Sequence, residues 1–395
     1  MKINYLSLLF ISLIAIFVSC SDDPNSVGNV LVPDKDKVKS KVVDSYNNSF
    51  EQSFISFQKD SLFFGSSSRL LLGSYKNISS EALMAFLISL PDSIEVPYDS
   101  NLVTLKSSWI ELYPNYWIGD SVNFNFTAHQ INTSWNAIEI NDDTVNAIHT
   151  TLGANILESL EYTPGDSVIK FTIDNNLVES WVKKSFDESF PENYGILLAP
   201  ASSNGIMGFQ GLTNFPNNVY PLLHMEFEKE GKFIDTVYAY PNLDLHLPTG
   251  VRLSEPQNTV LLQSSIGVRG KLKFSLDNVP ENILVNSAIL DLQIDDLNTF
   301  QGTIKTDTIA VGFLSNYNSV TVNDDFRRYP LYLSGSKYSG EIRQFVQRWL
   351  DGEKNEGLEI KLSDENRSAS IITFLGSTYP VDSLKPRLTI YYSSK

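Results

Sequence analysis

Three pairs of residues constrain this chain more than anything else in it. Phe209 and Phe374, Gly211 and Gly376, and Pro221 and Pro386 each stand 165 residues apart, with no gap needed between them. The residue types around them follow suit. Met207-Gly208-Phe209-Gln210-Gly211 matches Ile372-Thr373-Phe374-Leu375-Gly376, and Leu223-His224-Met225-Glu226-Phe227 matches Leu388-Thr389-Ile390-Tyr391-Tyr392. Upstream, Leu177, Val178, Trp181 and Val182 in one copy, and Ile342, Phe345, Val346, Trp349 and Leu350 in the other, have the spacing of a one-faced helix. Asp174 is a candidate cap for the first. Each helical pattern leads into Asn-x-Gly, at Asn193-Tyr194-Gly195 and Asn355-Glu356-Gly357. Further back, Ser107 to Leu112 matches Ser287 to Leu292, and the apolar runs 85–91 and 272–276 correspond. A repeat of this length means one structural plan used twice. The copies are expected at 46–229 and 233–395, joined by the charged, glycine-bearing Glu228-Lys229-Glu230-Gly231-Lys232.

Most segments between turns alternate in polarity. Leu388, Ile390 and Tyr392 are expected to face one way and Arg387, Thr389 and Tyr391 the other; Leu223, Met225 and Phe227 form the matching inward set. The 23 Phe and 18 Tyr against 4 Met favour strands over helix bundles, and 42% hydrophobic content excludes wholesale disorder. The fold expected is all-β: two tandem antiparallel β-sandwich domains, jelly-roll-like, each with one short helix.

The order of these motifs carries a resemblance. A strand pair, a helix ending Trp349-x-x-Gly352, then Asn355-x-Gly357-Leu358 and Pro386-Arg387-Leu388-Thr389-Ile390 resembles the DNRLRE domain, a β-sandwich of bacterial surface proteins. The first copy is diverged: no glycine follows Trp181 at that spacing, and Leu222 stands in place of the arginine. Some relatives of that domain are classed as carbohydrate-binding modules, so the resemblance implies glycan binding.

Residues 1–19 carry Lys2 and an apolar run from Leu6 to Val18, the layout of a secretory signal. The chain's one cysteine, Cys20, stands at the expected cut, where Ser19-Cys20 resembles a bacterial lipobox and marks Cys20 as the lipidation site. Ser21-Asp22-Asp23 resembles the export signal of Bacteroidota-type surface lipoproteins, which implies a lipid-anchored protein displayed on the outer membrane. Residues 20–45 are polar and read as a flexible tether. The expected partner at this end is the membrane, reached through lipid. A net charge of −16 repels phosphate backbones, so nucleic acid is not expected.

Chemistry is sparse. His129, His149, His224 and His246 have no second histidine at metal-ligand spacing, and one cysteine permits neither a Cys₄ site nor a disulfide. Neither a metal nor a cofactor is expected. The pairs Asp142-Asp143, Asp295-Asp296, Asp324-Asp325 and Asp364-Glu365 are adjacent, whereas glycoside hydrolysis needs two carboxyls about 5 to 9.5 Å apart across a sugar. Asp351 to Gly357 has the oxygen-rich look of a calcium loop, but Lys354 sits inside it and a helix-exit turn is the simpler reading. The loop with most binding character runs from Tyr113 to Asp120: Tyr113, Tyr116 and Trp117 offer rings to a sugar, with Asn115 and Asp120 for its hydroxyls. A second aromatic group is Tyr329, Tyr332 and Tyr338 with Arg327 and Arg328. The expectation is a non-enzymatic surface module for binding or adhesion, with polysaccharide or envelope proteins as partners. The alternatives are a structural part of an envelope assembly and, less favoured, a polysaccharide hydrolase.

Overall fold

The computed structural model describes residues 40–59, 62–201, 204–213 and 219–394. The signal segment, Cys20 and the tether up to residue 39 lie outside the described residues. The chain is all-β. Its strands are β1 (Ser40–Asp44), β2 (Gln52–Gln58), β3 (Arg69–Tyr75), β4 (Ile78–Leu87), β5 (Thr104–Leu112), β6 (Pro114–Gly119), β7 (Phe126–Gln130), β8 (Leu157–Glu161), β9 (Ile169–Ile173), β10 (Ile196–Pro200), β11 (Gly205–Gln210), β12 (Leu222–Lys229) and β13 (Lys232–Gly250). They continue with β14 (Thr259–Gln263), β15 (Val268–Phe274), β16 (Ile283–Gln293), β17 (Thr308–Asn316), β18 (Thr321–Val322), β19 (Tyr329–Ser334), β20 (Lys337–Glu341), β21 (Leu358–Leu362), β22 (Ile371–Leu375) and β23 (Arg387–Ser394).

Among the described residues these form two antiparallel sheets. An N-terminal sheet runs β6-β11-β3-β4-β13-β12-β5-β9-β8, with β10 between β4 and β7. A C-terminal sheet runs β1-β23-β16-β20-β19-β17-β21-β15-β14-β22, with β2 on β15 and β18 on β17. Each sheet closes in sandwich fashion over its own apolar core. Period-two alternation builds those cores: Leu223, Met225 and Phe227 are buried in one, Leu388, Ile390 and Tyr392 in the other.

Among the described residues four short α-helices accompany the sheets: α1 (Asp92–Asp99), α2 (Asp142–Thr151), α3 (Asn175–Lys184) and α4 (Arg343–Leu350). The two expected from periodicity are α3 and α4, which bury Trp181 and Trp349; the Asp174 carboxylate caps α3 through the Asn176 N–H at 2.9 Å. The expectation of one helix per half is corrected by α1 and α2. Neither carries a full apolar stripe, for α1 contains Pro97 and buries only Ile94 and Tyr98, and α2 buries only Ile148.

The Asn-x-Gly repeats perform one task twice. Asn193 Nδ2 donates to the Phe86 carbonyl at 2.9 Å while its Oδ1 accepts from Gly195 N–H at 3.0 Å. Asn355 Nδ2 donates to the Phe274 carbonyl at 2.8 Å, and its Oδ1 accepts from Gly357 N–H at 3.1 Å. Both glycines have φ of +83°, and a Cβ would stand 2.1 Å from the Met84 carbonyl oxygen in one case and 2.6 Å from that of Leu272 in the other. Only glycine fits there.

The strands that complete each sheet come from the wrong place in sequence. β13 begins copy two by the repeat, yet its first part pairs with β12 and its second with β4, so it closes the N-terminal sheet. It passes from one layer to the other at a register shift between Pro241 and Leu243, the usual work of a bulge. The charged segment expected as a domain joint is therefore a tight hairpin, with Glu230 and Gly231 both at positive φ. The corresponding places in the C-terminal sheet are filled by the start of the described chain. β1 pairs with β23 and β2 with β15, the counterparts of β12 and β4. Val43, Phe50 and Phe54 thus enter the C-terminal core while Val237 and Ala239 enter the N-terminal one. Burying side chains of the Val and Phe kind contributes roughly 1.5–3 kcal/mol each. The expected boundaries at 46 and 233 do not follow this exchange, and β1, Ser40–Asp44, falls within the segment 20–45 expected as tether.

A third apolar cluster belongs to both halves: Leu71, Ile78, Tyr116, Ile118 and Ile206 meet Leu261, Ile266, Val268, Ala369 and Ile371. Polar bonds rim this seam. Thr303 N–H donates to the Trp117 carbonyl at 2.7 Å, and Trp117 N–H to Thr303 Oγ1 at 3.0 Å. Gly302 lies so close to Tyr116 that a Cβ would sit 2.4 Å from the ring.

Candidate functional site

The segment expected as an aromatic loop is largely strand β6, so neighbouring side chains point to opposite sides. The three rings part company. Tyr113 turns back along β5 and donates its hydroxyl to Glu111 Oε2 at 3.0 Å. Burial, then that carboxylate, pushes its hydroxyl up to about 12. Tyr116 is 3% exposed: Arg69 lies over its ring at 4.8 Å, and its hydroxyl accepts from Ala369 N–H at 3.1 Å. A ring so covered ties the halves together; Tyr116 borders the cleft described next, but so little of it is exposed that its main contacts are within the protein.

Trp117 is half-buried and lines a cleft of about 270 Å³ with Tyr162, Asn115, Asp166, Ser121 and Thr303. Its indole is fixed: Nε1 donates to the Gly119 carbonyl at 2.8 Å, and Phe124 meets it edge-on at 5.7 Å. Tyr162 is held by a bond from its hydroxyl to the Ser121 carbonyl at 2.8 Å, and Asp166 accepts from Thr163 N–H at 2.6 Å. Burial raises the Tyr162 hydroxyl above its ordinary value, with Asp166 and Asp120 adding to the effect, so it stays protonated at neutral pH. Two fixed aromatic residues beside a carboxylate, an amide and a hydroxyl suit a ligand with both C–H faces and hydroxyl groups.

A second cluster occupies the outer face of the N-terminal sheet. Register places Thr172, Trp109, His224 and Tyr238 in one row across β9, β5, β12 and β13. Trp109 and His224 stack at 4.9 Å, Tyr238 meets His224 edge-on at 4.8 Å, and the Lys170 ammonium sits 4.5 Å from the Trp109 ring centre. Glu111 is the hub, accepting from Trp109 Nε1 at 3.3 Å and Tyr113 while standing 3.2 Å from His224 Nε2. Burial lowers the His224 pKa against the pull of Glu111. Trp109 is half-buried between its neighbours, and the most exposed rings of this patch are Tyr238 and Tyr240, 49% and 53% exposed. Sequence reading placed His224 on an outward face but missed its neighbours. Trp109 and Glu111 share the outward alternation of β5, a signal that was present. Tyr238 is not legible in the sequence, because Glu228 to Lys232 reads equally well as a joint and as a hairpin.

The remaining candidates do not form sites. Tyr338 is buried and donates to the Thr306 carbonyl, whereas Tyr332 is 60% exposed. Arg328 is committed to Glu359 at 2.9 Å, in a buried network where Arg269 also holds Glu359 at 2.7 Å and Glu365 at 2.6 Å. Burial works to raise the Glu359 carboxyl, but the two arginines outweigh it and hold the group below its usual range. In the calcium-like loop, Lys354 pairs with Glu356 and Arg348 with Glu353, while Asn355 serves the glycine turn. His129 bonds to Gly153 and Thr127, His149 pairs with Glu81, and His246 is sealed beside Phe64. Among the described residues no group of three His, Cys, Asp or Glu side chains is placed to hold a metal ion.

No family model matches the chain, and no curated protein matches it. Among solved structures it is similar to the C-terminal domain of the BspA AgI/II polypeptide of Streptococcus agalactiae, at 10% identity, with 87% of this chain and 92% of that one covered and a TM-score of 0.19. A structure titled BspA_C_WT gives 9% identity, 87% and 91% coverage and the same TM-score of 0.19. Likenesses this distant carry neither a residue nor an activity across.

Proposed function

We propose that the protein is a non-enzymatic binding or adhesion module that takes saccharides in the Trp117–Tyr162 cleft. In this reading residues 1–19 direct export, Cys20 carries the lipid, and the chain is displayed on the outer membrane as two tandem, DNRLRE-like sandwiches derived from a duplication. The supporting observation is the cleft itself, whose aromatic residues are immobilised by their own hydrogen bonds before any ligand arrives. Such preorganisation lowers the ordering cost of binding. A glycan array probed with the full chain and with Trp117→Ala tests it. The wild type is expected to bind a defined set of glycans, and the variant to lose at least about tenfold in affinity. Binding that survives the substitution unchanged contradicts the reading.

A second reading has its own support. Phe233, Ile234, Tyr238 and Tyr240 are 61%, 39%, 49% and 53% exposed along β13, an apolar strip of the kind that protein partners cover. Envelope proteins that co-purify with the wild type, and are lost on Phe233→Ser with Tyr238→Ser, favour a structural role in an assembly.

A further inference from the structure

The Trp117 cleft has a neighbour along the seam. A cavity of about 310 Å³ is lined by Arg69 from the N-terminal sheet and by Lys305, Thr306, Asp307, Asp364 and Arg367 from C-terminal loops. The two cavities share a wall: Arg69 Nε donates to Asn115 Oδ1 at 2.7 Å, and Thr303 of the cleft directly precedes Ile304 and Lys305 of the cavity.

Its polar groups are prepared but incompletely used. The Arg69 guanidinium is held by Asn115, by the Arg367 carbonyl at 2.6 Å and by the face of Tyr116. Asp364 Oδ2 accepts from Thr306 Oγ1 at 2.9 Å. Asp364 Oδ1 is buried with no hydrogen-bond partner among the described residues. A buried acceptor without a donor costs free energy that a ligand hydroxyl recovers. The guanidinium and ammonium groups beside it donate and cannot accept. Two carboxylates offset two of the three cations, Arg69 is already held by its own partners, and the unpartnered Asp364 oxygen calls for a donor, so the cavity suits a neutral polyol.

We propose that the cleft and this cavity are consecutive subsites for one neutral oligosaccharide. Trp117 and Tyr162 take the C–H face of one sugar, and Asp364 with the adjoining cations takes the hydroxyls of another, so one ligand of at least two units is held by both halves. This rests on the saccharide reading of the cleft. A polymer joined to two linked subsites gains affinity by effective concentration without new contacts at either.

The test is NMR titration of the full chain with β-1,4-linked glucose and mannose oligomers of one to six units. Affinity is expected to step up by roughly tenfold or more between the single sugar and the trimer. Asp364→Asn and Arg367→Ala should each remove that step, lowering trimer affinity roughly tenfold toward the single-sugar level; the Arg367 carbonyl that holds Arg69 survives both. Trp117→Ala should weaken every length. Affinity independent of length, or a step that survives both substitutions, overturns the two-subsite inference and leaves the cleft reading standing. If Trp117→Ala changes nothing while Asp364→Asn weakens binding, the cleft reading falls and the two-subsite inference falls with it. If no oligomer binds the wild type, both fall.

Discussion

Asp244 and His246 are buried two positions apart on β13, and their ionisations are displaced in opposite senses. Burial pushes the Asp244 carboxyl up to about 6, against a hydrogen bond it accepts from Leu212 N–H. Burial pushes the His246 imidazole down to about 3, with Arg69 adding to the effect. For Asp244 the stability is fully present below the unfolded value of about 3.9 and is lost as pH rises through about 6. For His246 it is present above the unfolded value of about 6.5 and is lost as pH falls toward about 3. The two slopes therefore oppose each other between about pH 4 and 6. Asp244→Asn removes only the first. Its stability relative to wild type should climb with pH across that window, by up to about 1.4 kcal/mol per pH unit. Urea unfolding at three pH values reads this directly, and a difference that stays constant contradicts it.

At the scale of elements, the fold repeats its devices more faithfully than its sequence. Gly195→Ala and Gly357→Ala should each destabilise by more than about 1 kcal/mol, since both force a side chain into left-handed backbone against a carbonyl. Phe54→Ala should cost about 3–5 kcal/mol and loosen the C-terminal sheet rather than the sheet nearest in sequence. Unfolding midpoints followed by tryptophan fluorescence at Trp349 and Trp181 separate the two sheets. What alternation and helical spacing could reveal, they did: the inward sets on β12 and β23, α3 and α4 with their tryptophans, and the Asn-x-Gly turns are all local patterns. The exchange was illegible because alternation tells which side chains face inward but not which sheet a strand joins. Glu228 to Lys232 reads the same whether it joins domains or turns a hairpin, because charge and glycine mark any exposed turn. At the site, Trp117 was legible as an aromatic beside polar groups. Tyr116 borders the same cleft, but its burial at the seam depends on contacts from the other half that no local pattern shows. Tyr162 lies 45 residues downstream of Trp117, and no local pattern connects the two.

For the molecule as a whole, the consequence is that the two sheets are not independent in the same way. Residues 62–250 run continuously through the strands of the N-terminal sheet, from β3 to β13. The C-terminal sheet is incomplete without β1 and β2, which lie more than 200 residues before β14 in the chain. The seam then holds Tyr116 and Thr303 in register, which is what sets the cleft beside the Arg69 cavity. Any pull transmitted to Ser40 from its N-terminal side falls first on β1, at the edge of the C-terminal sheet. Fragment folding, followed by circular dichroism melting, is the direct test of this interlock. Residues 62–250 should melt cooperatively alone, whereas residues 251–395 should do so only when a peptide of residues 40–59 is added. Cooperative melting of 251–395 without the peptide, or no response to it, would show that each half closes on its own strands and that the exchange is not what holds the molecule together.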